Sequence, residues 1–226
     1  MSELSPEQLA AQLDSPNVKE RVLAMIALQK SEMSAQAALP LVKQALTDSN
    51  VQVRGMAAFS LGIKPTTESL PMLVEILQVD ADYNMRAIAA GALGYLEDKR
   101  ALEPLRHAFY EDTQWLVQFS AAVALGNIKD HQATAVLVEA LNSPTVLLQE
   151  AAVCALGEIG AIDTLAQLLP FAQAQDWMLR KRLAEALGNL PDPRSLAALK
   201  TLAADTNTQV AEAAQRSQQR LGTRHE

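Results

Sequence analysis

Apolar residues recur along this chain at helical spacing, in short segments separated by polar breaks. Ala37 to Leu46 is one such segment, and its apolar positions fall on one face of a helix. Thr47-Asp48-Ser49-Asn50 interrupts it and offers capping side chains to a second helix, Val51 to Leu61, with Gly62 placed to stop that helix as a C-terminal cap. Pro40 is compatible with the first helix if it lies in the first turn, where its missing N–H has no intrahelical partner, and Pro71 and Pro104 occupy corresponding places.

The same helix pair repeats. Its mark is Ala-Leu-Gly, as Ala92-Leu93-Gly94, Ala124-Leu125-Gly126, Ala155-Leu156-Gly157 and Ala186-Leu187-Gly188, with the variant Ser60-Leu61-Gly62. From Gly62 to Gly188 these glycines keep a nearly constant interval, and a fixed period of such length marks an array of stacked structural repeats. About seven pairs fit, with second helices near 17–28, 51–61, 83–93, 115–125, 146–156, 177–187 and 208–219. Gln29 stands in the glycine position of the first repeat, and the last repeat ends in polar residues. Both departures are expected of terminal caps, about 5–30 and 194–221. The predicted fold is therefore all-α, an α-solenoid (superhelix) forming a single repeat domain over 1–226.

Composition agrees: Ala and Leu abound, and aromatic residues make up only 4%. A net charge of −7 with scattered Lys and Arg argues against a nucleic-acid partner, which needs clustered positive charge. The first residues lack a basic start followed by an apolar run, and no stretch has the length of a membrane span, so a cytoplasmic location is expected. A single cysteine, Cys154, leaves no pair for an internal disulfide or a Cys-x-x-Cys metal site.

An acid and a base recur at one spacing, as Asp48 with Arg54 and Asp80 with Arg86. The aspartate precedes the second helix, where it can cap, and the arginine one turn inside can reach the loop of an adjacent repeat. Gln118 and Gln149 replace the arginine centrally, so charge pairing is expected to lapse there, either through neutral loss of exposed pairs or at a flexible, partner-binding centre. The pattern resembles the Asp and Arg ladder of HEAT repeats. The run Val53-Arg54-Gly55-Met56-Ala57-Ala58-Phe59-Ser60-Leu61-Gly62 is similar to the phycobilisome-lyase type of HEAT repeat, and the resemblance covers about residues 5–220.

At the angular step of an α-helix, Val53, Ala57 and Leu61 form a buried stripe, and Gln52, Gly55, Met56, Phe59 and Ile63 lie opposite. In HEAT-like solenoids that opposite side lines the concave surface. The register adds Val22, Leu23 and Ile26, then Ile88 and Tyr95, then Leu116, Phe119 and Val123, then Leu147 and Cys154. It becomes polar only in the sixth repeat, with Met178, Lys181, Arg182, Glu185 and Asn189. The expected groove is apolar through five repeats and charged at its C-terminal end, the form of a site for a protein partner such as a helix laid in by apolar anchors. A shift of one position would instead pack Ile88 and Val123 between neighbouring second helices. Tyr83, Trp115 and Trp177 share the first-turn position of their helices, where they either staple the helix to its predecessor or form an aromatic edge open to a ligand.

No catalytic or metal-binding set emerges. His107, His131 and His225 share no ligand spacing, and Cys154 has no base at nearby helical spacing, so it reads as a small inert residue. The resemblance implies roles among bilin lyases, phycobilisome-degradation factors or a HEAT protein that binds an A-type iron-sulfur carrier. A non-catalytic scaffold without a cofactor is the first expectation, with a phycobiliprotein or an iron-sulfur carrier as partner. A bilin lyase or detachment factor is the alternative, in which Trp115 and the apolar groove hold a bilin and Lys181 or Arg182 meets its propionates.

Overall fold

A computed structural model describes residues 4–223; His225 lies outside them. Among the described residues the chain is all-α, a solenoid of seven helix pairs: α1 (Pro6–Leu13) with α2 (Val18–Lys30), α3 (Ala35–Leu46) with α4 (Val51–Ile63), α5 (Ser69–Val79) with α6 (Tyr83–Tyr95), α7 (Leu102–Glu111) with α8 (Trp115–Ile128), α9 (Thr134–Ala140) with α10 (Val146–Ile159), α11 (Leu165–Leu168) with α12 (Trp177–Leu187), and α13 (Pro193–Leu202) with α14 (Thr208–Gly222). A 3-10 stretch, Leu169–Gln173, prolongs α11. The sequence places one repeat domain over 1–226. In the structure the described residues gather into two compact units that meet in sequence between Ala124 and Leu125.

In the first unit α2 packs on α4 and α4 on α6, while α1, α3 and α5 form the other layer. In the second, α10 packs on α12 and α12 on α14. Leucines fill both interiors, among them Leu61, Leu73 and Leu93 in the first unit and Leu137, Leu165 and Leu183 in the second.

Gly62, Gly94, Gly126 and Gly157 lie inside their helices and do not stop them, whereas Gly188 is the C-cap of α12, as expected of a helix stop. Gly62 sits inside α4, where an added Cβ would stand 2.8 Å from the carbonyl oxygen of Ala92 and 3.0 Å from its Cα. Gly157 meets the Cα of Ala186 in the same way, at 2.7 Å. Gly62, Gly126 and Gly157 thus each let the alanine of the next Ala-Leu-Gly approach backbone to backbone, and α4, α8 and α10 run on beyond them. Three of them end close to a residue with positive φ: Glu97 (φ 50°), Lys129 (φ 55°) and Gly160 (φ 74°). Only the last carries the residue that favours this conformation. In the first repeat, Gln29 replaces the glycine and Ser60 the facing alanine. The Gln29 amide donates to the Ser60 hydroxyl at 3.1 Å and to the Met56 carbonyl at 3.0 Å.

Pro71 and Pro104 lie in the first turns of α5 and α7. Pro40 does not, because Ser34 caps α3 further upstream and leaves the proline inside the helix. Its exposed position leaves the unpaired carbonyl of the preceding turn accessible to solvent.

The acid and base ladder connects successive repeats. Arg86 donates to the carboxylate of Asp112 at 2.6 Å and 3.1 Å, and Arg21 and Arg180 hold Asp48 and Asp205 alike. Arg54, expected to reach the loop of an adjacent repeat, instead donates to its own loop, to the carbonyls of Asp48 and Ser49. The helix caps are Asn50 and Asp82; Asp48 and Asp80 accept the N–H of the capping residue instead. Nor are these pairs solvent-exposed: the side chains of Arg86 and Asp112 are 17% and 9% exposed. Gln118 and Gln149 preserve the loop-binding half of the arginine's role, donating to the carbonyls of Asp112 and Ser143 at 3.0 Å and 2.9 Å.

Candidate functional site

In the first unit, residues of α4 and α6, with Gln29 of α2, surround an apolar cleft of about 440 Å³. Met56, Phe59, Ile88 and Tyr95 line it, all of them residues that the helical register places on one face. Phe59 and Tyr95 meet edge to face, with centroids 5.5 Å apart and planes at 86°. Tyr95 is 58% exposed, while Met56, Phe59 and Ile88 are half-buried. Ile88 also does what the shifted register requires, because its Cδ1 fills the space where a Cβ on Gly55 would come within 2.7 Å. It packs between the two second helices and lines the cleft with its remaining surface.

Gly55, Gly91 and Ala92 complete the lining, with Gln29 and Gln52 as its amide-bearing members. The register of apolar residues passes over Gly91 and Gln29 because neither is apolar in the expected sense. The usable signal is positional: Gly91 stands one full repeat after Phe59, and Gln29 replaces a repeat glycine.

Further along the first unit, Trp115 begins α8 and is 51% exposed, meeting Phe119 edge to face with centroids 6.4 Å apart. Leu116, Phe119 and Val123 are half-buried and do not line the cleft. Tyr83 begins α6 and is exposed; Trp177 begins α12 and is half-buried.

The second unit carries the remaining candidates. Leu147 is exposed on α10, and Cys154 is half-buried on the same helix. Burial pushes the Cys154 thiol up to about 11, with Arg182 pulling weakly the other way. A thiol so placed is protonated near neutrality and is a poor nucleophile. The basic end expected of the groove is in fact mixed in sign. Arg182 donates to Glu185 at 3.1 Å and Lys181 lies 3.9 Å from the same carboxylate. Glu150, whose own pKa is raised by burial first and by Asp176 second, adds a further carboxyl nearby. Neither cation is therefore set apart to receive an anion.

Among the described residues, no group of His, Cys, Asp and Glu has the arrangement of a metal site, and no helix is long and apolar enough to cross a membrane.

Solved structures share this architecture. A chain from the complex of CpcE and CpcF of phycocyanin lyase from Nostoc sp. PCC7120 is 23% identical, with a TM-score of 0.63, covering 99% of this chain and 96% of that one. An engineered protein is 22% identical with a TM-score of 0.56, covering 97% of this chain and 99% of its own. The structure of Kap95p with RanGDP gives a TM-score of 0.67 at 15% identity, covering 96% of this chain and 36% of that chain. At these identities the likeness is one of fold. No curated protein sequence matches significantly. The HEAT-repeat family matches over residues 6–83, 70–152 and 135–217, which together span most of the chain, and with the stacked helix pairs and the arginine ladder this makes the chain a member of the HEAT-repeat family.

Proposed function

We propose that this protein is a non-catalytic interaction scaffold that holds a helix of a protein partner in the cleft between α4 and α6. The observation that carries the reading is an apolar cleft of about 440 Å³ left open to solvent, with Phe59 and Tyr95 presented together at it. Mostly apolar concavities of this volume are the usual form of a binding site, and apolar anchors on one face of a helix suit an open groove of this kind. The protonated Cys154 offers no support for nucleophilic chemistry on the chain itself.

The partner class we favour follows from the phycobilisome-lyase type of repeat motif: a phycobiliprotein first and an A-type iron-sulfur carrier second, in the handling of cofactors or phycobilisomes in the cytoplasm. The fold likeness to the CpcE and CpcF pair is in keeping with this choice.

The test is a pull-down from native lysate, read by mass spectrometry, with the unmodified protein and a Phe59→Glu variant. The expected result is loss of the captured partner with helicity unchanged by circular dichroism. Equal capture by both proteins overturns the scaffold reading at this cleft. A parallel titration with free bilin, followed by absorbance, separates a chromophore-handling role: a shifted band that survives in the variant places the ligand elsewhere and replaces this reading.

A further inference from the structure

Nothing in the fold requires a glycine at position 91. Gly62, Gly126 and Gly157 each make room for an alanine backbone of the next second helix, and Gly55 makes room for Ile88. Around Gly91 an added Cβ would meet nothing within 4 Å, and its backbone is not in the left-handed region. It lies well inside α6, where glycine destabilises a helix relative to alanine. The repeat places Phe59 at the same position one unit earlier and Val123 one unit later. The missing side chain is therefore a local omission within an otherwise apolar row, and the space it leaves is part of the cleft beside Phe59, Ile88 and Tyr95.

Charge defines the other half of the occupant. The protein carries a net charge of −7, yet the second helices of the first unit hold Lys19, Arg21, Lys30, Arg54 and Arg86 against the single carboxylate Glu20. Arg21 and Arg86 are committed to the ladder, and Arg54 to loop carbonyls. Lys19 and Lys30 are exposed on α2. Lys30 adjoins Gln29, which lines the cleft, and Lys19 shares the register of Gln52, which also lines it.

We propose that the notch at Gly91 receives one bulky apolar side chain, Phe or Leu, from an amphipathic helix of a protein partner whose flanking residues are acidic. This rests on the reading of the cleft as a protein-binding site and adds which residue shapes it and what the partner carries. Glycine keeps the notch open, Phe59 and Tyr95 grip the anchor, and the lysines of α2 favour acidic neighbours.

The probe is a fluorescein-labelled synthetic helix with Phe and Leu anchors one helical turn apart and Glu on its flanks. Two controls replace either Glu by Lys or both anchors by Ala, and binding is followed by anisotropy. The unmodified protein is expected to bind the acidic peptide at least tenfold more tightly than either control, and more weakly as salt rises. Gly91→Leu, whose side chain has free space to enter, should lose at least tenfold in affinity with circular dichroism unchanged. Phe59→Ala should also weaken binding. If Phe59→Ala weakens binding and Gly91→Leu does not, the cleft reading stands and the Gly91 notch is overturned. If neither substitution matters, both fall. Failure of the unmodified protein to bind the acidic peptide, or preference for the lysine version, overturns the proposed occupant. Self-association that disappears in Gly91→Leu assigns the notch to a second copy of the chain and overturns it equally.

Discussion

Two glycines of the first unit carry opposite meanings although both lie inside second helices. Gly62 faces the backbone of Ala92 at distances no side chain tolerates, whereas Gly91 faces open space. Gly62→Ala should therefore destabilise the protein by about 1–3 kcal/mol, because the contacting atoms are main-chain atoms that cannot rotate away. Gly91→Ala should stabilise it by about 0.5–1 kcal/mol, since it lowers the entropy of the unfolded chain and strains nothing. Urea denaturation of the two variants measures both. Destabilisation by Gly91→Ala would show that the open space around it is filled in solution. The same contrast explains why the repeat motif reads as a helix stop throughout when only Gly188 ends its helix: glycine both ends helices and admits close neighbours, and local sequence does not distinguish these uses.

At the scale of the element, a bidentate arginine links one helix pair to the next at three junctions, through Arg21, Arg86 and Arg180. Arg86 satisfies its own loop through the Asp80 carbonyl and the next loop through the Asp112 carboxylate, so one side chain orders two connections. Gln118 shows what remains without the charge, a single bond to the loop behind it. Arg86→Gln should keep the first bond and lose the second, destabilising the protein by about 1–3 kcal/mol at neutral pH. Its pH dependence follows from Asp112, whose carboxyl is held below its ordinary range chiefly by hydrogen bonds from Arg86. A depressed folded-state pKa contributes stability above the unfolded value of about 3.9 and loses it as pH falls through the folded value. The gap between the two proteins should therefore be full at about pH 6 and narrow below about pH 4, as the unmodified protein loses what the variant never had. A gap that stays constant down to about pH 2 would show that the pairing is not what Arg86 contributes.

For the whole molecule, stability in such a stack is carried by contacts between neighbouring helices. In the first unit, α6, which holds Leu93, packs on α4 and α5. In the second, α12, which holds Leu183, packs on α10, α13 and α14. Leu93→Ala and Leu183→Ala should each destabilise by about 2–5 kcal/mol, both side chains being fully buried. Because the two leucines share no packing partner among these helices, the double variant should show the sum to within about 0.5 kcal/mol. A large departure from additivity would mean that the two units are coupled more strongly than nearest-neighbour stacking allows.

The period of the glycines and the spacing of apolar residues were enough to determine the helix pairs, their number and the starts of the second helices, because each repeat reuses one local solution and errors do not accumulate along the chain. They also placed Met56, Phe59, Ile88 and Tyr95 on a common face, since the turn of an α-helix is a property of the backbone alone. Where the second helices end, which aspartate answers which arginine, and why Gly91 differs from Gly62 were decided only by the tertiary structure. Each depends on what an adjacent repeat brings into contact, and that approach is set by packing between segments a full repeat apart in the chain. The Ala-Leu-Gly peptide is thus legible as a period from the sequence, but as a contact between backbones only when its neighbour is in place.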